Sequence, residues 1–191
     1  MFGAADQSFS AGWQGGEYLN RAGLWVGAIG ADGNPHVSTV GQEFAPEEDP
    51  RWILYTTFEG APGGGRTPLT GFGTADDDND GQADEDFLNG LDDDGDGATD
   101  EDFEAIGQQM FTAMYRDDTP ASHQVPEHIP LNLLVRQRSF QWSITVIDKM
   151  IGMDFEVVNE GDQRLDEVYV GFYSDSDAGP KTAPKDRKSV V

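Results

Sequence analysis

Residues 151–173 read IGMDFEVVNEGDQRLDEVYVGFY and contain two runs in which apolar and polar side chains alternate. Apolar residues recur at every second position of 151–157 and again of 168–172. A period of two places them on one face of an extended chain, so both runs are predicted to be half-buried β-strands. The turn-forming residues 159–162 (NEGD) lie between them and predict that the two strands pair as an antiparallel hairpin.

The same pattern recurs towards the N-terminus. Residues 23–29 (GLWVGAI) and 36–40 (HVSTV) flank Asp32-Gly33, a pair that tolerates the positive φ of a tight turn, and therefore predict two further strands. Residues 52–57 (WILYTT) and the alternating run 131–135 predict two more. Six or more short strands predict a mainly β, antiparallel, β-sandwich-like fold.

One segment has helical spacing. Phe103, Ile106, Met110 and Met114 recur at intervals of three or four residues. The spacing predicts a single short α-helix over about 102–115, whose apolar stripe would lie on the sheet core. Its N-terminal caps would come from residues 99–102.

The length of 191 residues is that of one ordinary domain, and we expect residues 1–180 to form it, followed by a disordered tail over 181–191. The chain has no cysteine, which excludes disulfides and thiolate chemistry. No run of 18 apolar residues is present, so no membrane insertion is expected. The net charge of −24 argues against binding nucleic acid or an anionic membrane surface.

The acidity is local. Residues 76–104 contain 15 Asp or Glu and no Lys or Arg, which leaves −9 for the rest of the chain. So many like charges repel one another strongly unless they are solvated in a disordered segment or neutralised by metal ions. Cations are therefore the expected partners.

The acidic segment is a tandem repeat with a step of 16 residues. Aligned on Asp76 and Asp92, the loops read DDDNDGQADEDF and DDDGDGATDEDF and agree at nine of twelve positions. Carboxylates on alternate residues of a curling chain can point at one Ca²⁺ ion, and a glycine at position 6 allows the sharp bend. The repeat predicts two calcium sites. Their candidate ligands are Asp76, Asp78, Asp80, Gln82, Asp84, Glu85 and Asp86 in the first loop, and Asp92, Asp94, Asp96, Ala98, Asp100, Glu101 and Asp102 in the second.

The loops depart from the EF-hand at position 12, where Phe87 and Phe103 replace the bidentate glutamate. The residues at positions 10 and 11 must then complete each shell, or the loops must share carboxylates, while the two phenylalanines pack inward. Two alternatives stay open: an acidic disordered linker, and magnesium, which prefers a tighter octahedron.

The D-x-D-x-D-G-x-x-D-E loops resemble those of thrombospondin type 3 repeats and, less closely, of dockerins. Segments such as HVSTVGQEF (36–44), HIPLNLLVRQRSFQWS (128–143) and VYVGFYSDSDAGP (168–180) are similar to large, mostly uncharacterised, secreted bacterial proteins, many of them type IX secretion substrates. This resemblance implies a β-rich, extracellular or cell-surface protein. Residues 186–191 (DRKSVV) resemble a translated sequencing adapter, so we expect a fragment that lacks its signal peptide and sorting domain.

No catalytic constellation is recognisable. The three histidines lack zinc-ligand spacing, and residues 63–67 (GGGRT) lack the ending of a phosphate loop and predict a flexible connection. Nothing singles out a carboxylate pair for glycoside hydrolysis. The four tryptophans with Tyr18 and Tyr55 fit either a sandwich core or a sugar-stacking face.

These observations predict a non-catalytic, calcium-binding structural or adhesive module of a secreted or cell-surface bacterial protein. The alternative is a carbohydrate-binding module or part of a polysaccharide-active enzyme. Extracellular polysaccharide and other surface proteins are the partners left open besides calcium.

Overall fold

The structure is a computed structural model that describes residues 9–13, 16–45, 54–58, 64–66, 81, 86–92, 95–100 and 103–176. The chain divides into two compact units. The first comprises Met1–Pro46, Arg116–Leu134 and Asn159–Val191, and the second comprises Glu47–Tyr115 and Val135–Val158. The single domain expected over 1–180 stays a prediction.

Ten strands and one short 3-10 helix, Ser122–Gln124, form the regular structure of the described residues. The strands are β1 (Phe9–Trp13), β2 (Gly16–Ile29), β3 (Pro35–Thr39), β4 (Tyr55–Thr57), β5 (Gly64–Arg66), β6 (Phe103–Ala105), β7 (Gln109–Arg116), β8 (Leu133–Gln141), β9 (Ile151–Asn159) and β10 (Asp166–Ser176). The chain is mainly β with antiparallel sheets, which confirms the predicted fold class.

The sheet of the first unit is built on the long strand β2, which pairs antiparallel with β1, β3 and β10. The predicted strands over 23–29 and 36–40 are confirmed, with Ile29 opposite Pro35 in the register. Their turn contains Gly33 at a φ of 77°, a conformation that glycine adopts without steric cost. Asp32 Oδ1 fixes the same turn by accepting a bond from the Asn34 amide at 3.0 Å.

A buried aspartate organises the core of this unit. Asp117 is fully buried, and its carboxylate accepts bonds from Ser38 Oγ at 2.6 Å, Leu131 N at 2.8 Å and Leu133 N at 2.7 Å. A buried carboxylate is tolerated when such bonds replace its hydration. The core of the same unit contains these buried apolar side chains: Ala22, Leu24, Val26, Ala28, Val40, Phe44, Leu131, Leu133 and Leu134.

The second sheet has the order β4-β7-β8-β9, and β5 pairs with β6 in a small parallel ladder. The second unit has its own apolar core: Leu88, Phe103, Ala105, Met110, Met114, Tyr115 and Val135. Burial raises the pKa of Tyr115, whose hydroxyl donates to Gln137 Oε1 at 3.0 Å.

The helix predicted over 102–115 is wrong, because this stretch forms β6 and β7. Met110 and Met114 fit a spacing of four but equally a spacing of two, and Thr112 between them is buried as well. Gly107 separates the strands at a φ of 73°, which no right-handed helix can contain. A strand is consistent with the burial pattern, because the period-two positions Met110, Thr112 and Met114 of β7 are all buried.

The predicted hairpin of the two C-terminal strands is also wrong, although both strands exist. β9 pairs with β8, whereas β10 pairs with β2 in the other sheet. Six residues, 160–165, connect them, which is longer than the usual hairpin loop of two to five residues. Within this connection, Glu160 N donates to Asn132 O at 3.0 Å, a contact with a distant part of the chain.

One smaller expectation was also tested. The flexible connection predicted over 63–67 is wrong for its described part, since Gly64–Arg66 forms β5. No helix of the described residues is long and apolar enough to cross a membrane.

Candidate functional site

The acidic repeat lies in the second unit, and the structure describes five of its 14 predicted ligand residues. They are Asp86 at the end of the first loop and Asp92, Asp96, Ala98 and Asp100 in the second. The others lie outside the described residues: Asp76, Asp78, Asp80, Gln82, Asp84, Glu85, Asp94, Glu101 and Asp102.

The first carboxylate of the second loop accepts hydrogen bonds from two backbone amides of the same loop. Asp92 Oδ1 accepts a bond from Gly95 N at 2.7 Å, and its Oδ2 accepts one from Gly97 N at 3.0 Å. The position-6 glycines of both loops have similar positive φ, 97° at Gly81 and 104° at Gly97. The chain therefore bends where the repeat pattern requires it, and each bend favours glycine.

Asp96 lies in the same bend, and its carboxylate accepts a bond from Ala98 N at 2.7 Å. Residues 95–99 are exposed, so this arc faces solvent. An ionised carboxylate has about four acceptor sites, which is more than the two amide bonds on Asp92 occupy.

Asp100 has a different surrounding from the other acids. Its Oδ1 accepts bonds from Asn89 N at 2.8 Å and Gly90 N at 2.9 Å, and its Oδ2 also lies 2.9 Å from Gly90 N. The residue has a φ of 52°, a left-handed conformation that Asp adopts more readily than most residues. Asp100 therefore joins the end of the second loop to the turn that precedes it.

That turn is part of the core. Leu88 packs with Phe103 and Ala105, and Tyr55 packs against the cluster. Leu88 O accepts a bond from the buried Thr112 Oγ1 at 2.6 Å. The prediction that Phe103 packs inward is confirmed, since it is 5% exposed.

The ends of the two loops lie side by side, because Asp86 and Phe103 form a parallel bridge. Two arginines on β8 contact these ends. Arg136 lies over the ring of the half-buried Phe87, 5.9 Å from its centroid, and Arg138 Nη1 pairs with Glu104 Oε2 at 2.5 Å. The described residues at the base of the acidic segment are thus held by packing, amide bonds and two arginine side chains.

The described residues contain no group of three or more His, Asp or Glu placed to hold one metal ion. Asp92, Asp96 and Asp100 all accept bonds from backbone amides, so sequence spacing alone did not indicate which acid would anchor the loop. The role of Asp100 could have been suspected from the Asn89-Gly90 turn, because the backbone amides of a turn that is buried need acceptors.

Residues considered for catalysis have structural partners. His36 Nε2 lies 2.9 Å from Asp32 Oδ1, and the bonds from Asn34, then from His36, hold the pKa of Asp32 well below its ordinary value. His128 Nε2 contacts Asp117 O at 2.7 Å, and His123 is exposed. The contacts of His36 and His128 therefore have a structural explanation.

Comparisons with protein-family models, with curated proteins and with solved structures find no match for this chain.

Proposed function

We propose that the protein is a non-catalytic, calcium-binding structural or adhesive module of a secreted or cell-surface protein, in which calcium ions neutralise the acidic loops and fasten them to the second unit. The observation that carries the proposal is the curl at Asp92, with two glycine amides on its carboxylate and Gly97 at positive φ. The repetition of that glycine conformation at Gly81 supports a second, equivalent site.

Calcium suits this segment better than a smaller cation. It accepts six to eight oxygens in flexible geometry, whereas magnesium requires a compact octahedron and retains water. The described arc is exposed, and its neighbours in sequence supply further carboxylates at alternate positions. Extracellular calcium is abundant, so the sites would stay filled and would act in architecture rather than in signalling.

The magnitude follows from linkage. At a dissociation constant of about 10 µM and about 1 mM calcium, each site would add roughly 2.7 kcal/mol to the free energy of unfolding. Two sites would raise the melting temperature by about 10–20 °C in a chain of this size. Thermal unfolding of the full chain with calcium, with chelator and with equal magnesium measures this shift.

A matched pair of variants locates the sites. Asp92→Asn should weaken calcium binding in isothermal titration by about tenfold or more, since it removes a charged ligand. Asp162→Asn removes the same charge from an exposed position outside the loops and should leave the affinity within about twofold. An equal melting shift from magnesium, or equal affinities of the two variants, would contradict the proposal.

A further inference from the structure

The second unit contains a cleft that uses none of the acidic-loop residues. It has a volume of about 630 Å³, within the range of roughly 300–1,000 Å³ typical of ligand sites. The ends of β4, β7 and β8 and the segment that follows β8 line it. We infer that this cleft binds a neutral saccharide.

Two aromatic side chains provide the apolar part of the cleft. Phe58 is 55% exposed, and Trp142 is half-buried with its ring edge-on to Phe140 at 5.2 Å. The ring of Trp142 is also confined by Gly107, where an added Cβ would lie 3.2 Å from Trp142 Nε1. Fixed aromatic faces at a cleft offer the flat apolar surface on which the C–H face of a pyranose stacks.

Three glutamines supply the polar part. Gln141 Nε2 donates to Gln109 Oε1 at 2.9 Å, so these two side chains are oriented before a ligand arrives, and Gln108 N donates to Gln141 O at 2.9 Å, which joins the backbones of the two segments. The paired amides still have an N–H and a carbonyl oxygen to offer. Sugar hydroxyls both donate and accept, and amides satisfy both requirements.

The charge of the cleft selects against anionic ligands. Asp148 is the only charged residue among the described lining residues, which otherwise present amide, hydroxyl and aromatic groups. With a chain charge of −24, an anionic ligand such as a phosphate or a uronate would be repelled. A neutral, polyhydroxylated ligand fits the lining.

The test titrates the full chain, in calcium, with neutral hexasaccharides of β-1,4-glucan, β-1,3-glucan, β-mannan and β-xylan, and with oligogalacturonate as the anionic probe. We expect at least one neutral hexasaccharide to bind with a dissociation constant in the micromolar to low millimolar range. Absence of neutral binding at several millimolar, or a preference for oligogalacturonate, would overturn the inference.

Variants assign the site. Trp142→Ala should weaken binding by about tenfold or more, and Gln108→Ala by about threefold, because the first removes a stacking surface and the second one amide. Gln108 is exposed, so its variant tests the cleft even if Trp142→Ala fails to fold. Trp25→Ala is the matched control, since Trp25 is a 43% exposed tryptophan of the first unit that stacks on Tyr173. Lost affinity in the control together with full affinity in Gln108→Ala would refute the cleft as the site.

Calcium binding measured on the same samples reports separately on the loops. Saccharide binding without calcium binding would leave this inference standing and reject the proposed function, and the converse result would do the opposite.

Discussion

Asp117 is the residue on which the first unit depends most. Its carboxylate satisfies one hydroxyl and two backbone amides, all inside the core. Removing an acceptor leaves each buried donor without its partner, at about 1–3 kcal/mol apiece. The residue therefore contributes to stability through the donors that it satisfies rather than through its charge.

We expect Asp117→Ala to lower the free energy of unfolding by about 3–5 kcal/mol in urea titrations of the calcium-loaded chain. Asp118→Ala is the control, because Asp118 is half-buried and pairs with Arg116 Nε at 2.7 Å. That bond lowers the pKa of Asp118, but a partly exposed pair should contribute less than about 1 kcal/mol. Equal losses of unfolding free energy in the two variants would contradict the expected importance of the bonds to buried Asp117.

At the scale of elements, Gly107 decides how β6 passes into β7. It has a φ of 73°, and an added Cβ would lie 2.6 Å from Gln141 O, a backbone atom that cannot move aside alone. We expect Gly107→Ala to destabilise the chain by about 2–4 kcal/mol, from strain and from the close contact together.

The matched control is Gly171→Ala on β10, where an added Cβ meets nothing within 4 Å. That variant should stay within about 0.5 kcal/mol of the parent. Thermal and urea unfolding of both variants provide the comparison. A Gly107→Ala chain as stable as Gly171→Ala would mean that the β6–β7 connection adapts freely.

Alternation predicted the strands well because it reports directly on which side chains a pleated surface can bury. It could not predict the partner of each strand, which depends on contacts between distant residues such as Glu160 N and Asn132 O. The segment around Met110 and Met114 was ambiguous, since a spacing of four satisfies both periods. There Gly107 was the signal that should have favoured two strands.

The two candidate sites also differ in how far the sequence predicts them. The acidic repeat was visible in the sequence because the coordination proposed for it would impose a regular spacing along one short segment. The cleft was not visible, because Phe58, Gln109 and Trp142 come from three elements that only the fold brings together. In the sequence Trp142 is one of four tryptophans, and no pattern there links it to Gln108 and Gln109, which line the cleft with it.

At the scale of the whole molecule, charge governs behaviour without calcium. Fifteen of the 36 acidic residues lie within 76–104, where Arg136 contacts Phe87 and Arg138 contacts Glu104. Mutual repulsion of these acids opposes a compact arrangement of the segment in which Leu88 and Phe103 are buried. Any cation therefore stabilises the chain to some extent, and calcium sites must be distinguished from general screening.

Salt and calcium together make this distinction. In chelator, raising NaCl from about 0.01 M to about 0.1 M shortens the screening length from about 30 Å to about 10 Å, so we expect the melting temperature to rise by a few degrees. Adding about 1 mM calcium at the higher salt hardly changes the screening, yet should give most of the further rise expected from filled sites. Asp92→Asn should lose much of the calcium increment and keep most of its response to NaCl, because fourteen of the fifteen acids of the segment remain while one coordinating position is lost; Asp162→Asn should keep both. A calcium increment that disappears at about 0.1 M NaCl, or that is equal in the two variants, would identify the acidic loops as a screened polyanion without specific calcium sites.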